Sequence, residues 1–488
     1  MRPAATPEAV SPGLRTRFRK RGCLARPRRR LGVAAAAVLS SKPMLELPAA
    51  RAVFDAIAAR DEAIVAALIE LVDIPSVAAA PARLEEAAAA VGRQAAAAGF
   101  AVELWPTAGA PVVFAEIPAP DGAPVLLFYG HYDVQPAEPL EAWQSPPFSA
   151  TVRDGAVYGR GAGDNKGQLL AHIEAVRALR AAGGCPVGVK LLIEGEEEVG
   201  SPNLAAIVRE QASRLRCDVA ITADGPFHAD GRPMIVFGVR GLVYLEAVVE
   251  GAERDLHSGS HGGWAPAPAR ALIRALADLW DETGAVTVPG FYDDVRPATA
   301  AELELARRLP APGPAGRGAS GDGWVTLMFQ PNLNINGIAS GYAGAGMQTI
   351  VPARATAKLD VRLVADQDPD RIYGLLRRRL TAEGVEVRRI AAVPPSSTPV
   401  DNPFTAPVAR ALEAATGDPP WLQPRLGGTT PDFVFTRILA VPSLIVPYGP
   451  PDMHHHAPNE RMALTALRRG VRSSAAICLA LAESGTAR

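Results

Sequence analysis

Glu194-Gly-Glu-Glu-Glu-Val-Gly-Ser201 packs four carboxylates into five positions directly behind the apolar segment Val189–Ile193. Carboxylates so close together repel one another, and a fold tolerates them where water solvates the run or cations neutralise it. Taken alone, the run reads first as a solvated turn after a strand. It has company. Val125–Tyr129 leads into Gly130-His-Tyr-Asp-Val-Gln-Pro136, and Asp218–Thr222 leads into Ala223-Asp224-Gly225. Val441–Pro447 leads into a segment holding His454, His455 and His456, and Asp164 sits in the glycine-rich turn Gly159–Gly167 ahead of a helix. If these ends meet, they assemble a mixed imidazole and carboxylate set, which suits zinc, manganese or cobalt better than calcium or magnesium. Two such ions about 3.5–4 Å apart need a bridging carboxylate, for which Asp164 on its glycine-flanked turn is the natural candidate. An acid beside a ligand, as Glu197 is beside Glu198, can take the proton from an attacking water. Spacing alone leaves a structural metal site and unrelated turns as alternatives.

The elements that must position these residues follow from hydrophobic period. Ala50–Leu71 carries Val53, Ile57, Ile64, Leu68 and Leu71 at helical spacing, and Leu84–Ala98 reads as a second helix. Strands are expected at Ala101–Leu104, Val112–Ile117, Val125–Tyr129, Val187–Ile193 and Asp218–Thr222, with a helix after Gly167. Strands alternating with helices imply an α/β fold with a mainly parallel sheet flanked by helices, whose sites gather beyond the carboxyl ends of the strands. The pattern changes near Phe237. Strands at Val239–Val249, Asn332–Ile338 and Arg354–Leu363 and helices at Ala265–Trp280 and Pro369 to about Gly384 read as an inserted α+β block, with a Pro/Gly-rich loop at Pro310–Gly323. Asp368 is the expected N-cap of the last helix and Pro369 its first residue. After Pro394 the α/β style returns, with helices at Pro403–Thr416 and Leu464–Ala482. The expected domains are therefore a basic extension at 1–43, a catalytic part at 44–236, an insertion at 237–393 and a second catalytic part at 394–488.

Composition bounds these readings. A chain of 488 residues with 48% hydrophobic content and mean hydropathy +0.08 has enough material for more than one core. A net charge of −1 and a pI near 6.7 give no reason to expect nucleic acid or an anionic membrane as partner. Cys23, Cys185, Cys217 and Cys478 lie far apart without metal or disulfide spacing, so reduced thiols and a cytoplasmic location are expected. No apolar run reaches the roughly 18 residues that span a bilayer. Residues 1–43 are rich in Arg, balanced by Glu8 alone. A disordered tail or an extension ahead of a start at Met44 is expected there rather than an export signal, because the apolar patch Leu31–Leu39 is short and lacks a convincing cleavage site.

Five segments occur in an order that resembles the M20 metallopeptidases, and most of all their carnosinase-like and bacterial dipeptidase branch. They are Gly130-His-Tyr-Asp-Val, Gly159–Gly167, Glu194–Ser201, Asp255-Leu-His-Ser-Gly259 and His456-Ala-Pro-Asn-Glu460, and the likeness runs from about Met44 to the C-terminus. The resemblance implies a zinc-peptidase-like catalytic domain with an inserted lid and dimerisation domain. It implies two divalent ions, zinc first with manganese or cobalt as alternatives. His131 and Asp224 would hold one, Glu198 and His456 the other, and Asp164 would bridge them, leaving His454 and His455 as bystanders. Glu197 would be the general base acting on metal-activated water, and Asp133 would orient His131. The peptide after Asp164 is often cis in this family. His257 would bind the oxyanion, reaching the other subunit's site in a homodimer, and Arg362 would bind the substrate's terminal carboxylate alongside Thr349, Gly428 and Thr429. The implied activity is hydrolysis of dipeptides or similar small peptides. One departure is Leu426, at a place where carnosinase-like members commonly carry a Glu for the substrate's free amino group. It leaves room for an amidohydrolase of N-acyl or N-carbamoyl amino acids. A metal-free scaffold protein is the alternative outside enzymes.

Overall fold

The computed structural model describes residues 48–310 and 323–485. The basic extension 1–43, with Cys23, and residues 311–322 of the Pro/Gly-rich loop lie outside the described residues. Helices α1 (Pro48–Ala58), α2 (Asp61–Val72) and α3 (Leu84–Ala97) precede a hairpin of β1 (Ala101–Trp105) and β2 (Val112–Ile117). Strand β3 (Val125–His131), the short pair β4 (Thr151–Arg153) and β5 (Ala156–Tyr158), helix α4 (Gly167–Ala181), β6 (Gly188–Glu194), α5 (Leu204–Glu210), β7 (Val219–Thr222) and β8 (Met234–Val236) complete the first part. The inserted block holds β9 (Gly241–Glu250), β10 (Leu256–His257), α6 (Ser258–His261), α7 (Pro268–Ala277), α8 (Ala300–Arg308), α9 (Gly323–Phe329), β11 (Asn332–Ser340), β12 (Ile350–Val351), β13 (Arg354–Leu363), α10 (Pro369–Thr381) and β14 (Glu386–Val393). The chain closes with α11 (Thr405–Thr416), β15 (Trp421–Gln423), β16 (Ser443–Ile445), β17 (Arg461–Ala463) and α12 (Leu464–Ser484).

Eight strands form the large sheet in the order β1-β2-β6-β3-β7-β16-β8-β15. Its centre, β6-β3-β7-β16, is parallel throughout, as the alternation of strands and helices implies. Successive side chains of a strand point to opposite faces, and β3 uses both. Leu126 and Phe128 enter the core shared with α1, α3, α4, α11 and α12, while Leu127 and Tyr129 enter the core shared with α5. Burial on both faces explains why β3 and β6 read as continuous apolar runs rather than alternating ones.

The second sheet, β11-β13-β9-β14, is antiparallel. Ala355, Ala357, Leu359, Val361 and Leu363 of β13 face one core with Leu272 and Leu276 of α7 and Ile372, Leu376 and Leu380 of α10. The Asp368 carboxylate accepts from Arg371 N at 2.8 Å, the N-cap that the sequence implies. Not all of the inserted block packs on this core: Val325, Met328 and Phe329 of α9 join Ala306 of α8 and the ring of Trp421.

Four elements differ from expectation. Ala50–Leu71 is two helices, broken before Asp61. Ile57 and Ile64 are seven residues apart, two helical turns, so the apolar stripe runs through the break and conceals it. Helix α7 starts only at Pro268, because a proline favours the first helical position. Helix α8 and strand β14 escaped the apolar pattern, although Thr299 and Glu302 form a capping box, a signal present in the sequence. Among the described residues no helix is long and apolar enough to cross a membrane.

Candidate metal centre

The carboxyl ends of four adjacent parallel strands deliver the chemistry. His131 ends β3, Glu197 and Glu198 follow β6, Asp224 follows β7, and His456 lies in the segment after β16. Asp164 comes from the turn Ala162–Lys166 that leads into α4, and the peptide bond to Asn165 is cis. Side-chain ligand atoms of His131, Asp164 and Glu198 all lie within 4.8 Å of one another. His456 Nε2 is 3.1 Å from Asp164 Oδ2 and 3.2 Å from Glu198 Oε2. Asn165 Nδ2 donates to Asp224 Oδ1 at 3.3 Å and to Ala223 O at 2.8 Å, tying the Asp164 turn to the end of β7. The turn carrying His456 is tightly folded, with left-handed φ of +55° at His454, +57° at His456 and +63° at Asn459. Such backbone is uncommon for residues other than glycine.

Each of the four clustered acids has a distinct setting. Glu194 Oε1 accepts from Tyr129 Oη at 2.6 Å and Ser201 Oγ at 2.8 Å. Glu196 accepts from Asn203 Nδ2 at 2.7 Å. Glu198 accepts from Gln135 Nε2 at 2.9 Å and lies beside His456. The main-chain N–H groups of Glu197 and Glu198 donate to the Asp133 carboxylate at 3.2 and 2.9 Å. The bend fits because Gly195 has no side chain: a Cβ there would lie 2.3 Å from the Tyr132 ring. Asp133 was expected only to orient His131. It does lie at that ring, with Nδ1 at 3.1 Å from its main-chain oxygen and 3.3 Å from Oδ1, and it also supports the acidic turn.

Electrostatics show what the cluster lacks. Burial, with Asp224, Glu198 and Asp164 nearby, holds the Glu197 carboxyl well above its usual range, against the pull of His131. Burial and Asp164 push Asp224 up to about 7. His456 is raised to about 10 by its bonds to Asp164 and Glu198. Burial alone would lower the His131 pKa, but Asp133 and Asp164 raise it well above the usual value, with Nδ1 3.1 Å from the Asp133 main-chain oxygen and Nε2 3.2 Å from Asp164 Oδ1. That Nε2 atom is buried without a hydrogen-bond partner. Two imidazoles facing shared carboxylates, His131 and His456 each beside Asp164, fit a divalent cation with nitrogen and oxygen ligands.

The other expected residues fall into two places. Arg362 donates Nε to Asp360 Oδ2 at 3.1 Å and Nη1 to Thr429 Oγ1 at 3.0 Å, so Arg362, Thr429 and the neighbouring Gly428 share one corner. Leu426 packs its side chain on the apolar group Met234, Val236, Val239 and Ile445. His257 and Thr349 are neighbours on the β10–β12 ribbon, where Ser258 N donates to Thr349 O at 3.0 Å. His257 Nδ1 accepts from Gly259 N at 3.1 Å, a bond within its own turn. His172 is a packing residue, stacked on Phe128 with centroids 4.1 Å apart. Sequence reasoning passed over Gln135 and Asn165, which brace Glu198 and Asp224. Their signal was position, since each stands one to four residues beyond an expected ligand in a motif already singled out.

A mainly parallel sheet with an imidazole and carboxylate cluster beyond its strand ends defines a metal-dependent hydrolase. Residues 127–480 match Peptidase family M20/M25/M40, and the chain belongs to that family and is a peptidase. It is 30% identical over 395 residues to the Beta-Ala-His dipeptidase of Homo sapiens, covering 76% of this chain and 78% of that one. It is 28% identical over 401 residues to the Cys-Gly metallodipeptidase DUG1 of Saccharomyces cerevisiae, covering 77% and 82%. Among solved structures, the M20 family metallo-carboxypeptidase Sso-CP2 from Sulfolobus solfataricus superposes with a TM-score of 0.81 at 33% identity, covering 86% of this chain and 99% of that one.

Proposed function

We propose that this chain hydrolyses the amide bond of dipeptides or similar small peptides at a two-ion centre, with zinc as the first choice of metal. The observation that carries the reading is the convergence of four adjacent strand ends on donors of His131, Asp164 and Glu198 lying within 4.8 Å of one another. His131, Asp224, Glu198, His456 and Asp164 would hold the two ions, with Asp164 shared between them. When bound, the ions supply Lewis-acid charge that acidifies water and polarises the scissile carbonyl. Glu197 acts as general base, taking the proton of the attacking water and returning it to the leaving amine. Its raised pKa suits a group that must both accept and release a proton. Arg362, braced by Asp360 and Thr429, offers a planar fork to the substrate's carboxylate. The likeness to two dipeptidases and a carboxypeptidase supports a substrate with a free carboxyl end.

His257 supplies the oxyanion contact. Its place on the β10–β12 ribbon of the block 237–393, where its ring bonds within its own turn, supports action from the second subunit of a homodimer built through that block. The sheet parts 44–236 and 394–488 form the catalytic domain in this reading, and four cysteines without disulfide spacing support a cytoplasmic enzyme.

One experiment tests the centre. Glu197→Gln is expected to lower kcat by at least a thousandfold while the purified protein keeps its metal content by elemental analysis. Near-native turnover in that variant would remove Glu197 as the base. A second reading rests on Leu426, which gives a free amino group no carboxylate at that place. Assaying dipeptides beside their N-acyl and N-carbamoyl counterparts, with added zinc, manganese or cobalt, separates the two substrate classes.

A further inference from the structure

Glu460 has no part in the chemistry above, yet its carboxylate is among the most heavily bonded in the molecule. It is fully buried, and Oε1 accepts from three main-chain N–H groups, those of Gly161, Gly163 and Asp164, each at 3.0 Å. Oε2 accepts from Arg160 Nη1 at 2.7 Å, while Arg160 Nη2 donates to Pro136 O at 3.0 Å. Gly159 N donates in turn to Glu460 O at 3.0 Å. The bound loop is therefore the turn that carries Asp164, and Glu460 lies four residues after His456. The two segments are more than 290 positions apart in sequence.

The loop is shaped for this grip. Gly161 takes a left-handed φ of +88°, and a Cβ on Gly163 would lie 3.1 Å from Arg461 O. On the other side Asn459 is tied down, accepting from Gln144 N at 2.8 Å and donating to Ala142 O at 2.9 Å. Strand β17 continues directly from Glu460 and pairs with β5, Arg461 opposite Tyr158. Ligands hold a metal well only where their own backbones are fixed.

We infer that Glu460 is a positioning residue, whose carboxylate clamps the 161–164 turn to the His456 turn and so sets Asp164 and His456 at the spacing the metal needs. The inference rests on the reading of Asp164 and His456 as ligands. A glutamine cannot replace the glutamate. If its oxygen faces the three N–H groups, its amide N–H₂ faces the Arg160 guanidinium, donor against donor. Reversing the amide moves the mismatch to the loop.

The test compares Glu460→Gln and Glu460→Ala with Asp164→Ala and with Glu174→Gln. Glu174 is a buried carboxylate bound by Arg60 at 3.2 Å and Arg177 at 2.9 Å, away from the turn, and it reports the cost of losing such a group. Zinc affinity is measured by chelator competition, the visible spectrum after loading with Co²⁺, and the unfolding temperature of the metal-free proteins. The Glu460 variants are expected to bind zinc ten- to a hundredfold more weakly and to shift the cobalt bands. Glu174→Gln should lower the unfolding temperature and leave both metal readouts unmoved. If Glu460→Gln behaves like Glu174→Gln, the positioning role is overturned. If Asp164→Ala itself binds zinc normally, the ligand reading beneath it fails instead. Should Glu460→Ala not fold, Glu460→Gln, which keeps the volume, still decides the matter.

Discussion

At the scale of single residues, Asp133 shows how a supporting side chain can do two things at once. The resemblance gave it one role, orienting His131. Its carboxylate also accepts the N–H groups of Glu197 and Glu198, so one buried acid couples His131 on β3 to the acidic turn after β6. Asp133→Asn replaces one acceptor with a donor, leaving a buried N–H unsatisfied at a cost of about 1–3 kcal/mol. The expected outcome is a lower unfolding temperature together with a ten- to hundredfold loss of metal affinity. Unchanged affinity would show that the acidic turn holds its shape without Asp133. Sequence revealed the ligand candidates because glycine-rich turns and strand ends bracket them. It did not reveal who accepts from whom, because a main-chain N–H has no letter of its own. The double duty of Asp133 and the three main-chain bonds of Glu460 are of that kind.

At the scale of elements, the strands and helices of the large sheet were legible because burial on both faces leaves unbroken apolar runs. What escaped notice were junctions without an apolar signature: the break before Asp61, the polar capping box of α8, and Arg240. The side chain of Arg240 joins three segments by donating to Gln330 O at 3.1 Å, Asn332 Oδ1 at 2.7 Å and Arg362 O at 3.1 Å. The packing of α4 against β3 and α12 carries a pH signature. His172 on α4 is buried, with Nδ1 at 2.9 Å from Ser474 Oγ of α12, and Ser474 lies 2.9 Å from Tyr448 Oη. Burial drives the His172 pKa down to about 3, below the ordinary value of 6.5. The unfolded chain therefore takes up the proton first, and stability falls as pH drops from about 6.5 toward 3. One proton corresponds to about 1.4 kcal/mol per pH unit within that window. His172→Gln keeps a hydrogen-bonding group without a titrating one, so its unfolding free energy should fall less steeply with acidity than the wild type's. Equal slopes in denaturant titrations between pH 6.5 and 4.5 would refute the assignment.

At the scale of the whole molecule, the centre exists only because distant segments converge. Local pattern could name β3, β6, β7 and β16 but not their lateral order, since pairing depends on contacts far apart in sequence. The order β6-β3-β7-β16 is what turns separate acidic ends into one cluster. That convergence makes folding and metal binding partly the same process. Burial and the neighbouring acids hold the carboxyls of Glu197 and Asp224 above their usual range, so the assembled state carries repulsion that a bound cation relieves. Any ligand that binds the folded state alone stabilises it by RT ln(1 + [L]/Kd), about 2.7 kcal/mol at a hundredfold excess over Kd. Chelation is therefore expected to lower the unfolding temperature, and added zinc, manganese or cobalt to restore it in order of affinity. Hydrogen exchange locates the effect. Amides of 161–166 and 195–201 should lose protection on chelation, while those of β9 and β13, whose ladder lies in the other sheet, should keep theirs. Uniform loss across both sheets would mean that the metal holds up the whole fold. No loss anywhere would mean that the protein framework alone balances the charge of its acidic turn.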